Sequence, residues 1–380
     1  MKIVLISSTV EPTSGWGTLT YNHALNLYRR KIPFLLLLPK KAKRINVPFA
    51  QNLIFNLPLL PLTFRYVKEM PKIFYLWSSV KLSWQPTIIH SLVDSPYAAL
   101  GWRLAKRYRA PFIFSAIGSY SITSFKNFPD RQIILPVYNN AAEIIAISQF
   151  TAQKIKEAAG VNRTIKILPP AVSSPVVNFD GEKNFLNNNF TNRKIILTVG
   201  ALRPRKGIDI LVKALAIVKA TVPEAFLLIV GNGNQLDYLN SLAQSLKITD
   251  SIKIISRCSG EELVSFLKNC WTFALTPRYI NDEFEGYGLV FLEAGLFRKP
   301  VVAADSGGVT DAVIHEKTGL VVPEDDVNVT AEALIKILQD EDLAKKLGEG
   351  GLELARERNW DNYINQIIEI YKNAAKNFIY

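Results

Sequence analysis

Short apolar runs alternate with longer amphipathic stretches along almost the whole chain. In the first half, the runs KIVLIS, PFLLLL, TIIH, PFIFSAI and EIIAIS indicate buried parallel strands. The second half repeats the scheme with KIILTV, AFLLIV, IKII, WTFALT and PVVAA. Intervening stretches such as GTLTYNHALNLYRR and SPYAALGWRLAKRYR carry apolar residues at helical spacing. The alternation predicts two doubly wound α/β domains, each built on a parallel sheet covered by helices.

A stretch rich in Pro, Asn and Ser interrupts this alternation near the middle of the chain. It reads AVSSPVVNFDGEKNFLNNNFTN, has no sustained period, and indicates a linker over residues 171–192. We therefore predict an N-terminal domain over 1–170, a C-terminal domain over 193–358 and a last amphipathic helix over 359–380. Both domains open with a strand, a glycine-bearing turn and a helix. Their ligand sites should lie at the carboxyl ends of the strands, facing each other across a cleft.

Composition excludes several classes of protein. The 380 residues are 48% hydrophobic, which is enough for two large cores. The two cysteines, Cys258 and Cys270, lack CxxC or zinc spacing, so we expect neither a disulfide scaffold nor a metal finger. The start MKIVLISSTVEP indicates a first strand rather than a signal peptide, and IPFLLLLP is too short to span a bilayer. We expect a cytoplasmic protein, either soluble or peripheral at the inner face of the membrane.

Excess positive charge belongs to the first half of the chain. Residues 1–170 contain 22 Lys and Arg against 6 Asp and Glu, whereas the remaining residues contain 23 against 27. This asymmetry suggests that one half faces an anionic partner such as lipid head groups, nucleic acid or a phosphorylated acceptor. A well-solvated basic surface explains the asymmetry equally well.

The stretch FEGYGLVFLEAGLF combines two glutamates with the start of a helix. WTFALTP ends a strand, Gly286 and Gly288 permit a tight turn, and the helix begins near Leu289. Free amides and the positive end of the helix dipole favour a phosphate at that point. Glu293 lies one turn inside the helix, where its side chain leans back and can accept hydrogen bonds from a ribose diol. Glu285 precedes the helix and is expected to face a sugar attached beyond the phosphates.

These residues resemble those of the retaining glycosyltransferases of family 4, which have the GT-B fold. The E-x7-E hallmark of that family is matched by the stretch from Glu285 to Glu293, and the following AGLFRKPVVAADSGG is similar too. VGALRPRKGID resembles the family's phosphate loop, LLIVGNGN its next glycine turn, IISRCSGEEL its base-contacting loop and STVEPTSGWGTLTYN its first glycine loop. The resemblance covers most of the chain, and its motifs are more specific in the second half.

The resemblance implies two Rossmann-like domains, with a nucleotide-sugar donor held by the C-terminal domain and an acceptor held mainly by the N-terminal domain. The last helix should cross back to the N-terminal domain. The expected donor-binding residues belong to the motif and its neighbouring loops, and they are Gly15, Gly17, Arg203, Lys206, Gly231, Arg257, Cys258, Glu285, Gly286, Tyr287, Gly288, Leu289, Val290 and Glu293. Acceptor contacts are predicted near strand ends of the first domain, at Asp94, Tyr97 and Tyr120.

Lys206, Glu285 and one arginine are the predicted catalytic residues. Many members of the family carry an arginine directly after the glycine of the phosphate loop, where this chain has Ala201. Arg203 or Arg205 must then supply a guanidinium to the diphosphate, and we favour Arg203. No residue resembles a covalent nucleophile, which agrees with the front-face substitution proposed for the family.

We predict no divalent-metal site and no cofactor besides the donor substrate. Asp340 and Asp342 form a D-x-D sequence, but they lie between two C-terminal helices, where the spacing is a coincidence. His90 closes a strand and is expected to be a hydrogen-bonded structural residue. His23 and His315 are expected at the surface.

The sequence predicts transfer of a hexose, preferably glucose, from a UDP-sugar to a saccharide or lipid-linked acceptor in polysaccharide or glycolipid biosynthesis. Many family members carry a histidine where this chain has Ile117, so a role of that histidine is not carried over. Two alternatives stay open: a nucleotide-sugar epimerase of the same architecture, and a catalytically silent protein that binds lipid or nucleic acid through its basic half. For the transferase, the expected partners are the UDP-hexose and the acceptor, with anionic membrane as an optional contact and no nucleic acid.

Overall fold

One parallel sheet forms the centre of each of two units. The computed structural model describes residues 1–12, 15–57, 80–93, 96–126, 128–173, 190 and 192–378. The first unit contains Met1–Ala171 and Trp360–Tyr380, and the second contains Val172–Asn359. The predicted linker, residues 171–192, falls mostly outside the described residues.

The first unit is built on seven strands. They are β1 (Ile3–Ile6), β2 (Phe34–Pro39), β3 (Leu53–Leu57), β4 (Ile88–Ser91), β5 (Phe112–Ala116), β6 (Glu143–Ala146) and β7 (Lys166–Ile167). Their order in the sheet is β3-β2-β1-β4-β5-β6-β7, and all neighbours pair in parallel. The central strand β1 is buried along its whole length, as expected for a parallel strand with helices over both faces.

Helices connect these strands. The described ones before the second unit are α1 (Gly15–Arg29), α2 (Tyr97–Tyr108), α3 (Tyr120–Thr123), α4 (Phe128–Asn140) and α5 (Gln149–Ala159). The start of α5 shows how local sequence sets a boundary. The Ser148 hydroxyl accepts a hydrogen bond from the Thr151 amide at 3.1 Å and thereby satisfies one of the free amides at the helix start.

The second unit repeats this architecture with six strands. They are β8 (Lys194–Val199), β9 (Ala225–Val230), β10 (Ile252–Ile255), β11 (Thr272–Leu275), β12 (Val301–Ala304) and β13 (Gly319–Val322). The sheet has the parallel order β10-β9-β8-β11-β12-β13. Its helices are α6 (Ile208–Thr221), α7 (Leu236–Ser245), α8 (Gly260–Asn269), α9 (Leu289–Leu296), α10 (Val327–Gln339) and α11 (Glu341–Glu357). Within the described ranges, no helix combines the length and apolar character that a membrane span requires.

All ten strands predicted from apolar runs are present, so the two doubly wound domains are confirmed. Three further strands, β3, β7 and β13, had no such prediction. Each of them lies at an edge of its sheet. Strands at the edge have only one neighbour, and β3 is mostly half-buried, so it lacks the continuous apolar run of a central strand.

The last helix, α12 (Trp360–Asn377), packs into the core of the first unit. Its residues Trp360, Ile364 and Tyr371 are buried in the same apolar cluster as Ile3 of β1 and Leu27 of α1. The amphipathic helix predicted at the end of the chain is therefore present. Its apolar face is buried against α1 and the first sheet, and its polar face is exposed.

A buried polar network joins α12 to this core. The Tyr371 hydroxyl is hydrogen-bonded to His90 Nδ1 at 2.7 Å and to His23 Nε2 at 3.1 Å, and His90 Nε2 is hydrogen-bonded to Ser115 Oγ at 3.0 Å. The structural role predicted for His90 is confirmed, and His315 is exposed as predicted. The surface position predicted for His23 is wrong, because this histidine faces α12 and is fully buried.

Burial keeps both histidines of the network neutral. It lowers the pKa of His23 to about 3, and burial together with the neighbouring His23 holds the pKa of His90 well below its ordinary value. In the unfolded chain a histidine titrates near 6.5. Below that pH the unfolded state binds more protons than the folded state. The contribution of the neutral histidines to the free energy of unfolding is therefore present above pH 6.5 and is lost as the pH falls.

We therefore expect the free energy of unfolding to fall between pH 7.5 and pH 5.5, by about 1 kcal/mol for each buried histidine. Urea unfolding at several pH values measures this slope. The variant His23→Gln should have a shallower slope than the wild type, whereas His315→Gln, at an exposed position, should keep it. A free energy of unfolding that is constant over this range would contradict the neutral buried network.

Candidate active site

The strand order of the second sheet reverses at β8. From β8 the chain moves outward through β9 and β10 and then returns to place β11 on the other side of β8. In open parallel sheets, ligands bind at the carboxyl ends of the strands at such a reversal. The loops that follow β8 and β11, residues 200–207 and 276–288, leave the sheet at this point.

A glycine brings these two loops into direct contact. Gly207 has a φ of 63°, and a Cβ atom there would lie 1.7 Å from the carbonyl oxygen of Thr276. The Thr276 hydroxyl donates a hydrogen bond to the Gly207 carbonyl at 2.8 Å, and the Arg278 amide donates one to the Arg205 carbonyl at 2.9 Å. Glycine alone combines this backbone conformation with so close an approach. It thus fixes the short 3-10 turn Pro204–Lys206 against the loop after β11.

Two cations of this turn converge on the first glutamate of the motif. The Lys206 ammonium donates a hydrogen bond to Oε2 of Glu285, and Arg205 Nη1 lies 3.4 Å from the same oxygen. The side chains of Lys206 and Glu285 are each 13% exposed, so the pair is largely removed from water. Arg205 Nε also lies 3.8 Å from the carboxylate of Glu283.

Glu285 depends on these cations for its charge. Burial, the largest effect, acts to raise the pKa of the Glu285 carboxyl. The positive charges of Lys206 and Arg205, with the hydrogen bonds that they donate, act in the opposite direction and together outweigh burial. The pKa therefore lies below its ordinary value.

The second glutamate of the motif has no such partner. Glu293 lies in α9, which begins directly after Gly288. Its side chain is half-buried, and burial raises the pKa of its carboxyl. Within the part of the chain that the structure describes, no hydrogen bond or ion pair reaches this carboxylate. Free acceptor atoms on a half-buried carboxylate suit a ligand that offers hydroxyl groups.

Arg278, whose backbone contacts the cationic turn, forms ion pairs with two carboxylates. Arg278 Nη2 donates a hydrogen bond to Asp209 Oδ1 at 2.9 Å, and Arg278 Nε lies 2.7 Å from Asp325 Oδ1. Asp209, in the first turn of α6, is 8% exposed. Sequence reasoning missed both Arg278 and Asp209. Asp209 lies two positions after the Lys-Gly motif, but its partner lies 69 positions away and no local pattern pairs them.

The motif residues around α9 are half-buried or buried. Gly286 and Gly288 form the turn, and Leu289 and Val290 are half-buried in the first turn of the helix. Tyr287 is 2% exposed, and burial raises the pKa of its hydroxyl to about 12. Its side chain belongs to the core, so a ligand at this turn would meet its backbone.

Three other predicted donor residues lie at the same edge of the sheet. Gly231 follows β9, and its amide donates a hydrogen bond to the Ile255 carbonyl at 2.9 Å. Arg257 is exposed and Cys258 is half-buried in the loop after β10. Both cysteines carry free thiols, and burial followed by the nearby Glu262 charge raises the pKa of Cys258.

The structure separates the two arginines considered for a diphosphate. Arg203 is exposed at the start of the turn, whereas Arg205 reaches the Glu285 carboxylate. Arg205, rather than the favoured Arg203, therefore lies beside Lys206. The spacing in the sequence could not decide this, because the 3-10 turn determines which side chain projects toward the loop after β11.

The predicted residues of the first unit that the structure describes lie at the starts of three helices. The helix α1 begins at Gly15, so Gly15 and Gly17 lie in its first turn rather than in the loop before it. Tyr97 is fully buried at the start of α2, and its side chain presents no surface to an acceptor. Tyr120 is half-buried at the start of α3, and Asp94 lies outside the described residues.

No cluster of three or more His, Cys, Asp or Glu side chains suited to a metal ion occurs among the described residues. Asp340 has a different task, since its Oδ1 accepts a hydrogen bond from the Leu343 amide at 2.9 Å. It thereby caps α11, and Asp342 lies in the first turn of that helix.

Two family models match the chain. The model described as Glycosyl transferases group 1 matches residues 180–354, and the model described as Glycosyltransferase Family 4 matches residues 13–174. Between them they include the cationic turn, both glutamates and the start of α1.

Curated relatives are similar over long ranges. An uncharacterized glycosyltransferase of Methanocaldococcus jannaschii is 25% identical over 374 residues, which are 98% of each chain. A GDP-mannose-dependent alpha-(1-6)-phosphatidylinositol monomannoside mannosyltransferase of Mycobacterium tuberculosis is 29% identical over 251 residues, 64% of each chain.

A solved structure shares the fold. HepE of Anabaena, in complex with UDP and glucose, superposes with a TM-score of 0.75 and 19% identity, over 98% of this chain and 100% of that one. The two parallel-sheet Rossmann-like domains are those of the GT-B fold, and the matches to both family models show that the chain belongs to glycosyltransferase family 4.

Proposed function

We propose that this glycosyltransferase moves a hexose from a nucleoside diphosphate sugar to a saccharide or lipid-linked acceptor, with retention of configuration. The observation that carries the proposal is the convergence of Lys206, Arg205 and Glu285 at the point where the strand order reverses. Cations, helix amides and carboxylate acceptors in one loop cluster match a diphosphate that lies between two hydroxyl-bearing sugars. Such acceptors belong to polysaccharide or glycolipid biosynthesis.

Each side chain has a separate task in this proposal. Lys206 and Arg205 hold the diphosphate together with the first amides of α9. Glu293, which has no hydrogen-bond or ion-pair partner among the described residues, holds the ribose hydroxyls. Glu285 orients the hydroxyl groups of the donor sugar. Arg257 and Cys258 lie in the loop after β10 and contact the base in this proposal.

The cations also act in the reaction step. When the glycosidic bond breaks, negative charge grows on the departing diphosphate, and preorganised positive groups stabilise it. We propose that Lys206, Arg205 and the start of α9 supply this charge without a divalent metal or another cofactor. No residue of the sequence resembles a covalent nucleophile, and we propose front-face substitution, in which the acceptor hydroxyl attacks on the side that the diphosphate leaves.

Two donors are candidates. UDP-glucose is the first candidate, as the donor expected in the sequence analysis. GDP-mannose is the second candidate, because the Mycobacterium tuberculosis relative is GDP-mannose-dependent. Product analysis with labelled UDP-glucose and GDP-mannose, each with saccharide and lipid acceptors, tests the function. We expect a glycosylated acceptor from one of them; an epimerised nucleotide sugar as the only product would favour an epimerase instead.

The two glutamates of the motif should differ in their effect on nucleotide binding. Glu293→Ala removes contacts to ribose and should weaken binding of UDP or GDP roughly tenfold to a hundredfold, as expected for hydrogen bonds to a charged group. Glu285→Ala should retain nucleotide binding and lose most of the transfer activity. Calorimetry with the nucleotide and a transfer assay distinguish the two. Wild-type nucleotide affinity in both variants would contradict the ribose role.

Lys206→Ala should lower kcat much more than it raises KM. We expect a loss of about 2 to 4 kcal/mol of transition-state stabilisation, as for the loss of one donor to a developing anion. Arg205→Ala should lower kcat more than Arg203→Ala, because only Arg205 reaches the cluster. Activity should persist in excess EDTA. Complete loss of turnover in EDTA, restored by magnesium or manganese, would contradict metal-free stabilisation of the leaving group.

The basic first half supports a further proposal, a peripheral contact with an anionic membrane. Binding to anionic vesicles should be clear at low salt and should fade at high salt, because electrostatic attraction is screened. Co-sedimentation measures it. The absence of binding at low salt would leave the charge as surface solvation.

A further inference from the structure

One carboxylate oxygen neutralises both cations of the candidate site. Glu285 Oε2 accepts a hydrogen bond from Lys206 and lies 3.4 Å from Arg205 Nη1. These are the cations that the proposed function assigns to the donor diphosphate. The ammonium and the guanidinium have further donor hydrogens for a phosphate oxygen, but their two positive charges balance only two negative charges, so Glu285 and the diphosphate compete for the same charges.

The backbone of Glu285 cannot move out of the way. Its carbonyl accepts a hydrogen bond from the Gly308 amide at 2.8 Å, and Gly307 packs so closely that a Cβ atom there would lie 2.4 Å from the same oxygen. Only the side chain is therefore free to change its position. That side chain is 13% exposed, so the carboxylate has little contact with bulk water.

We propose that Glu285 is an internal counter-ion that the donor diphosphate displaces: the phosphates take over Lys206 and Arg205, and the freed Glu285 takes up a proton as it turns to the donor sugar. The inference rests on the proposed function and adds a proton to the binding step. In the free site Glu285 contacts both cations, and its negative charge offsets the repulsion between them. In the occupied site the protonated carboxyl can both donate and accept a hydrogen bond with sugar hydroxyls.

Charge balance supports the proton. A nucleoside diphosphate sugar brings two negative charges, which the two cations neutralise. An ionised Glu285 would then be a third negative charge in a site with little access to water, and both burial and the adjacent phosphates disfavour it. In the free protein the cations hold the pKa of Glu285 below its ordinary value, and their transfer to the phosphates leaves burial as the dominant effect.

The other charged groups near the site do not replace Glu285 in this role. Glu283, on the preceding segment, is 3.8 Å from Arg205 but its side chain is 55% exposed. Asp305, in the loop after β12, is exposed. Glu293 on α9 is the alternative proton acceptor, since it is half-buried and burial raises its pKa already in the free protein. The experiment must therefore separate Glu285 from Glu293.

Calorimetry of UDP-glucose and GDP-mannose binding without acceptor measures proton uptake, when it is repeated in two buffers with different ionisation enthalpies. Intact nucleotide sugars are the right probes, because free UDP or GDP carries a terminal phosphate that titrates near pH 6. We expect uptake near zero at pH 8 that rises toward one proton as the pH falls to 5.5. The Kd should fall in parallel, by up to about tenfold per pH unit.

Glu285→Gln should abolish the proton uptake and make the Kd independent of pH. Glu293→Gln should bind more weakly and still take up the proton. Two results would overturn this inference and leave the proposed function standing. One is binding of the wild type without proton uptake. The other is proton uptake that persists in Glu285→Gln and is lost in Glu293→Gln. If neither nucleotide sugar binds at any pH, the proposed function itself fails.

Discussion

The close contact between Gly207 and Thr276 is the constraint on which the candidate site depends. Strands β8 and β11 are neighbours, but the loops after them share a ligand only if their backbones meet. A side chain at position 207 would place a carbon atom 1.7 Å from the Thr276 carbonyl oxygen, so glycine is a condition for this approach. Because the loops meet here, Lys206 and Arg205 at the end of one reach Glu285 in the other.

Among the described residues of the candidate site, every buried charged group except Glu293 has a partner of opposite charge. Breaking a buried ion pair from one side costs about 3 to 5 kcal/mol, because the remaining charge is left unpaired in a poor solvent. Lys206 with Glu285 and Arg278 with Asp209 both avoid this cost. In the proposed exchange a diphosphate takes the place of Glu285 on the cations, and the freed Glu285 avoids the same cost by taking up a proton.

In the core of the first unit, buried polar side chains are hydrogen-bonded to each other and carry no charge. His23, His90 and Tyr371 are fully buried, and burial holds both histidines in the neutral form that the hydrogen bonds require. In the second unit burial also acts against a charge, that of Glu285, but nearby cations outweigh it. The contrast follows from the neighbours: the histidines face a neutral hydroxyl, whereas the glutamate faces an ammonium and a guanidinium.

The apolar runs of the sequence predicted ten of the thirteen described strands and the class of fold, and the motif residues predicted the start of α9, because these features depend on local periodicity and on short loops. The edge strands β3 and β7 were missed because they are mostly half-buried and lack that pattern. Only the tertiary structure decided that Arg205 rather than Arg203 joins Lys206, that Arg278 supports the turn through Asp209, and that His23 is buried by the last helix. Each of these contacts depends on packing, which sets the direction of a side chain and brings distant partners together. The neighbouring residues in the sequence do not determine it.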